Sequence, residues 1–244
     1  MHICILHIGH TEPGTRPKHA PSPIRFQAAL SPHLPDASWT TISAVTDVLP
    51  TPNSFDAYLI TGGKYSVFDS YPWQDRLFAF LKNVMDDDIP LAGICYGHQA
   101  IAHVLGARVE RSAKGYGVGL MPVNVVADRP WCQSRSEPFN LHAMHQDQLT
   151  ELPAHAELFL RSDFCPISGF TIGNSVFAIQ QHPDFTAELN RDLIERRIAR
   201  IGDAAATDAI GSLQGPDDTP ISVAWLAGFL SYAFTGAVTG AVNN

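Results

Sequence analysis

Cysteine is scarce in this chain: Cys4, Cys95, Cys132 and Cys165 are the only four in 244 residues, and no two form a CxxC pair. Such isolated positions argue against a zinc site, and four cysteines are few for a disulfide scaffold. Positive charge is scarce as well. Lys and Arg number 16 against 24 Asp and Glu, for a formal net charge of −8, so a nucleic-acid backbone would be repelled without a local basic patch. The densest basic stretch, ERRIAR at Glu195 to Arg200, reads as the solvated face of a helix. The N-terminus has no basic segment leading into a long apolar core, so no secretion signal is read there. A reducing, cytoplasmic setting is the simplest expectation.

Charge of either sign is missing from Ile221 to Asn244, a stretch long enough in principle to span a bilayer. Ser222, Gly228, Ser231, Thr235, Gly236, Thr239 and Gly240 dilute it, and the GxxxG at Gly236 to Gly240 is a weak motif alone. Trp225, Leu226, Phe229 and Leu230 recur at helical spacing. The expectation is a helix packed on a core, followed by a flexible tail after Phe234, and no membrane partner.

What is present is an alternation of short apolar runs with helix-like segments, the pattern of a parallel sheet covered on both faces. Strands are read at His2 to Gly9, Trp39 to Val45, Ala57 to Gly63 and Pro90 to Cys95. Helices are read near Ile24 to Leu34, Trp73 to Met85 and Gln99 to Leu105. Beyond Gly106 the texture becomes antiparallel over Arg108 to Val126 and Asn140 to Ala143, and Leu158 to Arg161 and Val176 to Gln180 return toward the sheet. One long helix is read from Phe185 to Ile201, another from Asp203 to Leu213, and a last one after the loop Gln214 to Pro220. No internal repeat or domain linker stands out, so residues 1–244 read as a single domain with helices over 203–235 packed on its core.

The chemistry concentrates at LAGICYGHQ, Leu91 to Gln99. Gly93 and Gly97 flank Cys95 as GxCxG, the spacing of a nucleophile elbow, where a strand turns sharply into a helix. A helix N-terminus at such an apex favours a thiolate and offers amides to an oxyanion. A cysteine nucleophile needs a base, and the base an orienter. Among eleven histidines, His182 is distinguished by its place in FAIQQHPDF, just past a buried strand at the edge where sites of open α/β sheets form. Asp184, two residues on, can orient the imidazole or cap the following helix.

GICYGHQ together with QQHPDF resembles the class-I, triad-type glutamine amidotransferases. LITGGKYSVFD (Leu59 to Asp69), KGYGVGLMPV (Lys114 to Val123) and MHQDQLTELP (Met144 to Pro153) follow in that family's order. The resemblance implies an α/β fold of the three-layer flavodoxin type, mostly parallel with helices on both faces and a small antiparallel extension. It implies that Cys95 is the nucleophile, His182 the general base and acid, and Asp184 the third member, where the family usually has glutamate. A glutamate at 184 would then keep or improve activity. The same resemblance puts the oxyanion on the backbone of Gly63 and Tyr96, and the substrate against Gly62, Gln99, Met144 and His145. His103, His142 and His155 are read as structural or exposed.

The reaction so implied is hydrolysis of a γ-glutamyl amide, glutamine or a γ-glutamyl peptide or amine, with no cofactor and no metal. No GxxxxGK followed by Ser or Thr occurs, and nothing after Phe185 resembles an ATP-binding loop. The chain therefore reads as a stand-alone hydrolase or as a glutaminase subunit serving a separate synthetase. Two other classes remain open: the intracellular-protease-like relatives with an elbow cysteine, and a binding module that has lost turnover.

Overall fold

The computed structural model describes residues 1–9 and 18–241. Strands β1 (His2–His7), β2 (Ser38–Ser43), β3 (Ala57–Ile60) and β4 (Leu91–Ile94) alternate with helices α1 (Ser22–Leu30), α2 (Pro72–Asp86) and α3 (Tyr96–Val104). There follow β5 (Val109–Arg111), β6 (Gly117–Val125), β7 (Phe139–His145), β8 (Asp147–Leu149), β9 (Glu157–Arg161), β10 (Gly169–Ile172) and β11 (Val176–Ile179). The chain closes with α4 (Ala187–Glu195), α5 (Ile198–Ile201), α6 (Asp203–Ser212) and α7 (Thr219–Ala241).

One nine-stranded sheet runs β2-β1-β3-β4-β11-β10-β9-β6-β7. Its first five strands are parallel, and the rest extend it antiparallel. β5 and β8 make a separate antiparallel pair. The parallel strands are buried on both faces, which is why they appear as unbroken apolar runs rather than alternating ones. Their side chains still alternate between two cores. Ile3, Ile5, Ala92, Ile94, Phe177 and Ile179 face the core shared with Phe26 of α1 and Leu226, Phe229 and Leu230 of α7. Cys4, Leu6, Leu91, Val176 and Ala178 face the core shared with Leu77 and Leu81 of α2 and Ile101 of α3. This is the three-layer α/β arrangement expected from the sequence. A third, smaller core joins Val118 and Leu120 of β6 to α4 and α6.

Four local readings are corrected. α3 begins at Tyr96, directly after the bend, rather than at Gln99. β10 pairs with β11 through a tight turn at a stretch not read as a strand. The long helix read over 185–201 is two helices, because Thr186 caps α4 and the backbone leaves the helical region at Arg197 (φ −118°, ψ 10°). Ile194, Ile198 and Ile201 reach the same small core across that break, so their spacing conceals it. The last helix runs on to Ala241, past the boundary near residue 235; glycine at 236 and 240 weakens a helix by about 1 kcal/mol each without stopping it. Among the described residues no helix is long and apolar enough to cross a membrane.

α7 should be an integral part of the core. Leu226 is fully buried between α7 and the sheet, so Leu226→Ala should lower the unfolding free energy by about 2–5 kcal/mol and Leu226→Asp by more. Denaturant titration checks this, and unchanged midpoints would show that α7 does not anchor the fold.

Candidate active site

The site lies at the carboxyl ends of β3, β4 and β11, three neighbouring parallel strands. β4 delivers Cys95 at its end, with φ 53° and ψ −100°, a region that costs a non-glycine residue about 1–3 kcal/mol. The bend works because two glycines let the chain pass close to itself. A Cβ on Gly93 would lie 2.6 Å from the Gly97 carbonyl oxygen, and one on Gly97 would lie 2.7 Å from that of Ile60. The Cys95 N–H donates to the Ile179 carbonyl at 2.9 Å, tying the apex to β11. Tyr96 is then the first residue of α3, whose leading amides have no partner within the helix.

β11 ends three residues before His182. The His182 N–H donates to the His142 carbonyl of β7 at 2.9 Å, so the antiparallel arm fixes the loop that carries the imidazole. His182 Nδ1 lies 3.1 Å from Asp184 Oδ1, and Cys95 acts electrostatically on the ring. Phe185 stacks on the imidazole with centroids 3.9 Å apart and planes at 23°. Gly62 fits against the pair: a Cβ there would lie 2.7 Å from His182 Cε1 and 3.4 Å from Cys95 Cβ. Gly63 is pressed against Ile8, where a Cβ would approach Cγ2 to 2.5 Å.

Asp184 is held from behind by α1. Its Oδ2 accepts from Arg25 Nη2 and, at 3.0 Å, from the Ser22 hydroxyl, while Arg25 Nε donates to the Asp184 carbonyl at 3.0 Å. Arg25 also lies over the Phe185 ring, 5.7 Å from its centroid. Burial alone would raise the Asp184 pKa, but the hydrogen bonds and charges of His182 and Arg25 hold it below its ordinary value. Burial likewise opposes a charge on His182. The charge of Cys95 and the contacts with Asp184 and Cys95 prevail and push the imidazole up to about 9.

A cavity of 490 Å³ opens onto Cys95 and His182, and every residue singled out in the sequence lines it: Gly62, Gly63, Tyr96, Gln99, Met144, His145 and Asp184 complete the set. Gln99 Nε2 donates to the Asp147 carbonyl at 2.8 Å and to Gln180 Oε1 at 3.0 Å, which fixes its amide at the cavity wall. His145 Nδ1 donates to the same Asp147 carbonyl at 3.1 Å, and burial lowers its pKa to about 4, so the ring is neutral. Sequence reasoning missed Ser22 and Arg25, and it gave no role to Ser66 or Asp147 inside the two motifs that contain them. The Ser66 hydroxyl donates to the Asp147 carboxylate, and that contact, like the α1 clamp, joins residues far apart in the chain. No local motif marks Ser22 or Arg25. The arrangement can generate a thiolate, stabilise charge beside it, and deliver a proton from one imidazole.

The sequence model of the family described as glutamine amidotransferase class-I matches residues 37–200. Gamma-glutamyl peptidase 3 of Arabidopsis thaliana is 29% identical over 167 residues, 65% of this chain and 67% of its own length. One subunit of the glutamine-hydrolysing GMP synthase of Saccharolobus solfataricus is 30% identical over 131 residues, 53% of this chain and 68% of its own. Against the plant peptidases the match spans about two thirds of their length or less. A glutamine amidotransferase from Thermotoga maritima has the same fold, with a TM-score of 0.74 at 19% identity, over 94% of this chain and 99% of that one.

The electrostatics of the imidazole are directly measurable. Removing the thiolate in Cys95→Ala, or the carboxylate charge in Asp184→Asn, should each move the His182 titration down from about 9, because burial then acts less opposed. Histidine-ring NMR across pH 5 to 10 reads the shift, and an unmoved resonance in both variants would contradict the coupling.

Proposed function

As this chain belongs to the class-I glutamine amidotransferase family, we propose that it hydrolyses a γ-glutamyl amide through a γ-glutamyl thioester on Cys95. The observation that carries this reading is that Cys95, His182 and Asp184 line one cavity, with His182 hydrogen-bonded to Asp184 at 3.1 Å. The thiolate attacks the γ-carbonyl carbon, and the oxygen that gains charge is received by the backbone amides of Gly63 and Tyr96. His182, protonated while the thiolate forms, gives its proton to the leaving nitrogen as the C–N bond breaks. It then takes a proton from the water that hydrolyses the thioester, releasing glutamate and restoring the thiol. Gln99, Met144 and His145 position the glutamyl portion, and a thiol nucleophile of this kind belongs in a reducing cytoplasm.

A second reading, a glutaminase subunit delivering ammonia to a separate synthetase, is favoured by the similarity to the GMP synthase subunit. A third reading, a binding module without turnover, would fit an aspartate too short to orient the imidazole; the 3.1 Å contact between His182 and Asp184 supports the hydrolase instead. Release of glutamate by the purified chain from glutamine and from γ-glutamyl peptides separates the three. Activity on peptides without any partner supports the hydrolase, activity on glutamine that rises only with a synthetase supports the glutaminase, and no turnover under either condition returns the binding module.

Substitutions at 184 should be equally telling. Asp184→Asn should lower kcat by about two to four orders of magnitude with a smaller effect on KM, as expected for an orienter that matters when the imidazole is charged. The expectation that glutamate would serve as well is reversed here. Asp184 already reaches His182, its other oxygen is held by Arg25 and Ser22, and the residue is only 5% exposed. An added methylene would displace the carboxylate from these three partners, so Asp184→Glu should also fall below wild type. Equal or higher kcat in Asp184→Glu would show that the clamp is not specific for aspartate.

A further inference from the structure

Acyl-transfer chemistry alone does not identify the leaving amine, but one wall of the cavity narrows it. Phe185 just before α4, Leu189 and Leu193 of α4, Arg197 at the break and Arg200 of α5 all line that wall, at intervals of three or four residues. Phe185 covers the imidazole, the two leucines add apolar surface, and the two arginines add positive charge. Arg197 is partly buried, and its guanidinium makes one hydrogen bond, from Nη1 to the Leu193 carbonyl at 3.3 Å. Neither Arg197 nor Arg200 has a carboxylate within ion-pair distance among the described residues.

The other cations that line the cavity are differently placed. Arg25 is matched by Asp184, and Arg111 faces Asp147 at 3.8 Å. Lys64 is exposed and leans over Tyr65. Burial and the charge of Arg200 both disfavour the charge on Arg197, while Tyr116 and the Cys95 thiolate favour it. In a chain of net charge −8, a half-buried Arg197 without an acidic partner, made less favourable by the charge of the exposed Arg200, is an arrangement that a bound anion would relieve.

We propose that Arg197 and Arg200 form an anion subsite for the leaving amine, so that the preferred substrates are γ-glutamyl amides whose amine carries an apolar body and a carboxylate. The proposal rests on the γ-glutamyl hydrolase reading and gives it a substrate class. Leu189 and Leu193 receive the apolar body, and the planar guanidinium forks receive the carboxylate. The glutamyl end is taken at Met144 and His145, which line the same cavity. Hydrolysis consumes one water and releases glutamate and the intact amine. A glutaminase that releases only ammonia has no use for this wall.

The test compares γ-glutamyl-phenylalanine with γ-glutamyl-phenylalaninamide, which differ only in the terminal charge, and takes glutamine as the substrate with no such group. Wild type should prefer the free acid over the amide by about tenfold or more in kcat/KM, and the preference should weaken as salt is raised. Arg197→Gln with Arg200→Gln should bring that ratio to about one, with Arg197→Lys in between. No preference in wild type, or an equal loss on all three substrates in the double variant, would overturn the subsite, the latter by showing that the arginines hold the glutamyl carboxylate or the fold. Calorimetric titration of the acid and the amide into Cys95→Ala reads the same preference without turnover. If wild type hydrolyses none of the three but Cys95→Ala still prefers the acid, the hydrolase reading fails and the subsite stands. If neither compound binds, the subsite fails as well.

Discussion

The backbone at Cys95 sits at φ 53° and ψ −100°, a conformation that an L-residue keeps only when its surroundings leave it no alternative. Those surroundings are the most buried parts of the molecule. β4 is sealed on both faces, α3 starts one residue later, and the Cys95 amide is committed to Ile179 of the neighbouring strand. Glycines 93 and 97 are what permit α3 to return so close beside β3 and β4. A thiol lifted out of the sheet in this way meets the helix amides on one side and an imidazole on the other. The strain is thus held by the same packing that makes the sheet stable.

The remaining groups are placed by elements that converge on that apex. β3 brings Gly62 and Gly63 close enough to touch His182 and Ile8. β11 brings His182, and β7 steadies its loop through the His142 carbonyl. α1 reaches across to hold the far oxygen of Asp184 with Arg25 and Ser22, so that one carboxylate oxygen is left for the imidazole. A buried carboxylate would otherwise prefer to be neutral; paired between a guanidinium and an imidazole it stays charged. The shorter side chain at 184 is therefore one half of an arrangement whose other half lies in the first helix.

The elements legible in the sequence were those whose cause is local. GxCxG marks the bend because close backbone approach requires glycine at both positions. QQHPDF marks the histidine because an apolar strand stops there and proline fixes the exit. Buried parallel strands announce themselves as uninterrupted apolar runs. What stayed hidden depends on distant partners. Arg25 has no unusual neighbours in sequence, and its role exists only because α1 packs beside the loop after β11. The break between α4 and α5 is hidden by isoleucines that keep their spacing across it. In the sequence, ERRIAR reads as a solvated helix face, and Glu195, Arg196, Ala199 and Arg200 are exposed. What stayed hidden is that Arg200 and the half-buried Arg197 also border the cavity, where the chain turns at Arg197.

The four cysteines give the account its sharpest test. Cys4, Cys132 and Cys165 are buried away from the cavity, and burial pushes each thiol up to about 12, so they remain protonated and unreactive near neutral pH. Cys95 alone among them lines the cavity beside His182. The decisive measurement is peptide mapping by mass spectrometry after brief exposure to a diazo-ketone or chloroketone analogue of glutamine. The account predicts one adduct, on Cys95, slowed by excess γ-glutamyl substrate and lost in His182→Ala at neutral pH. Adducts spread evenly over Cys4, Cys132 and Cys165, or a Cys95 that stays unmodified while the others react, would contradict it.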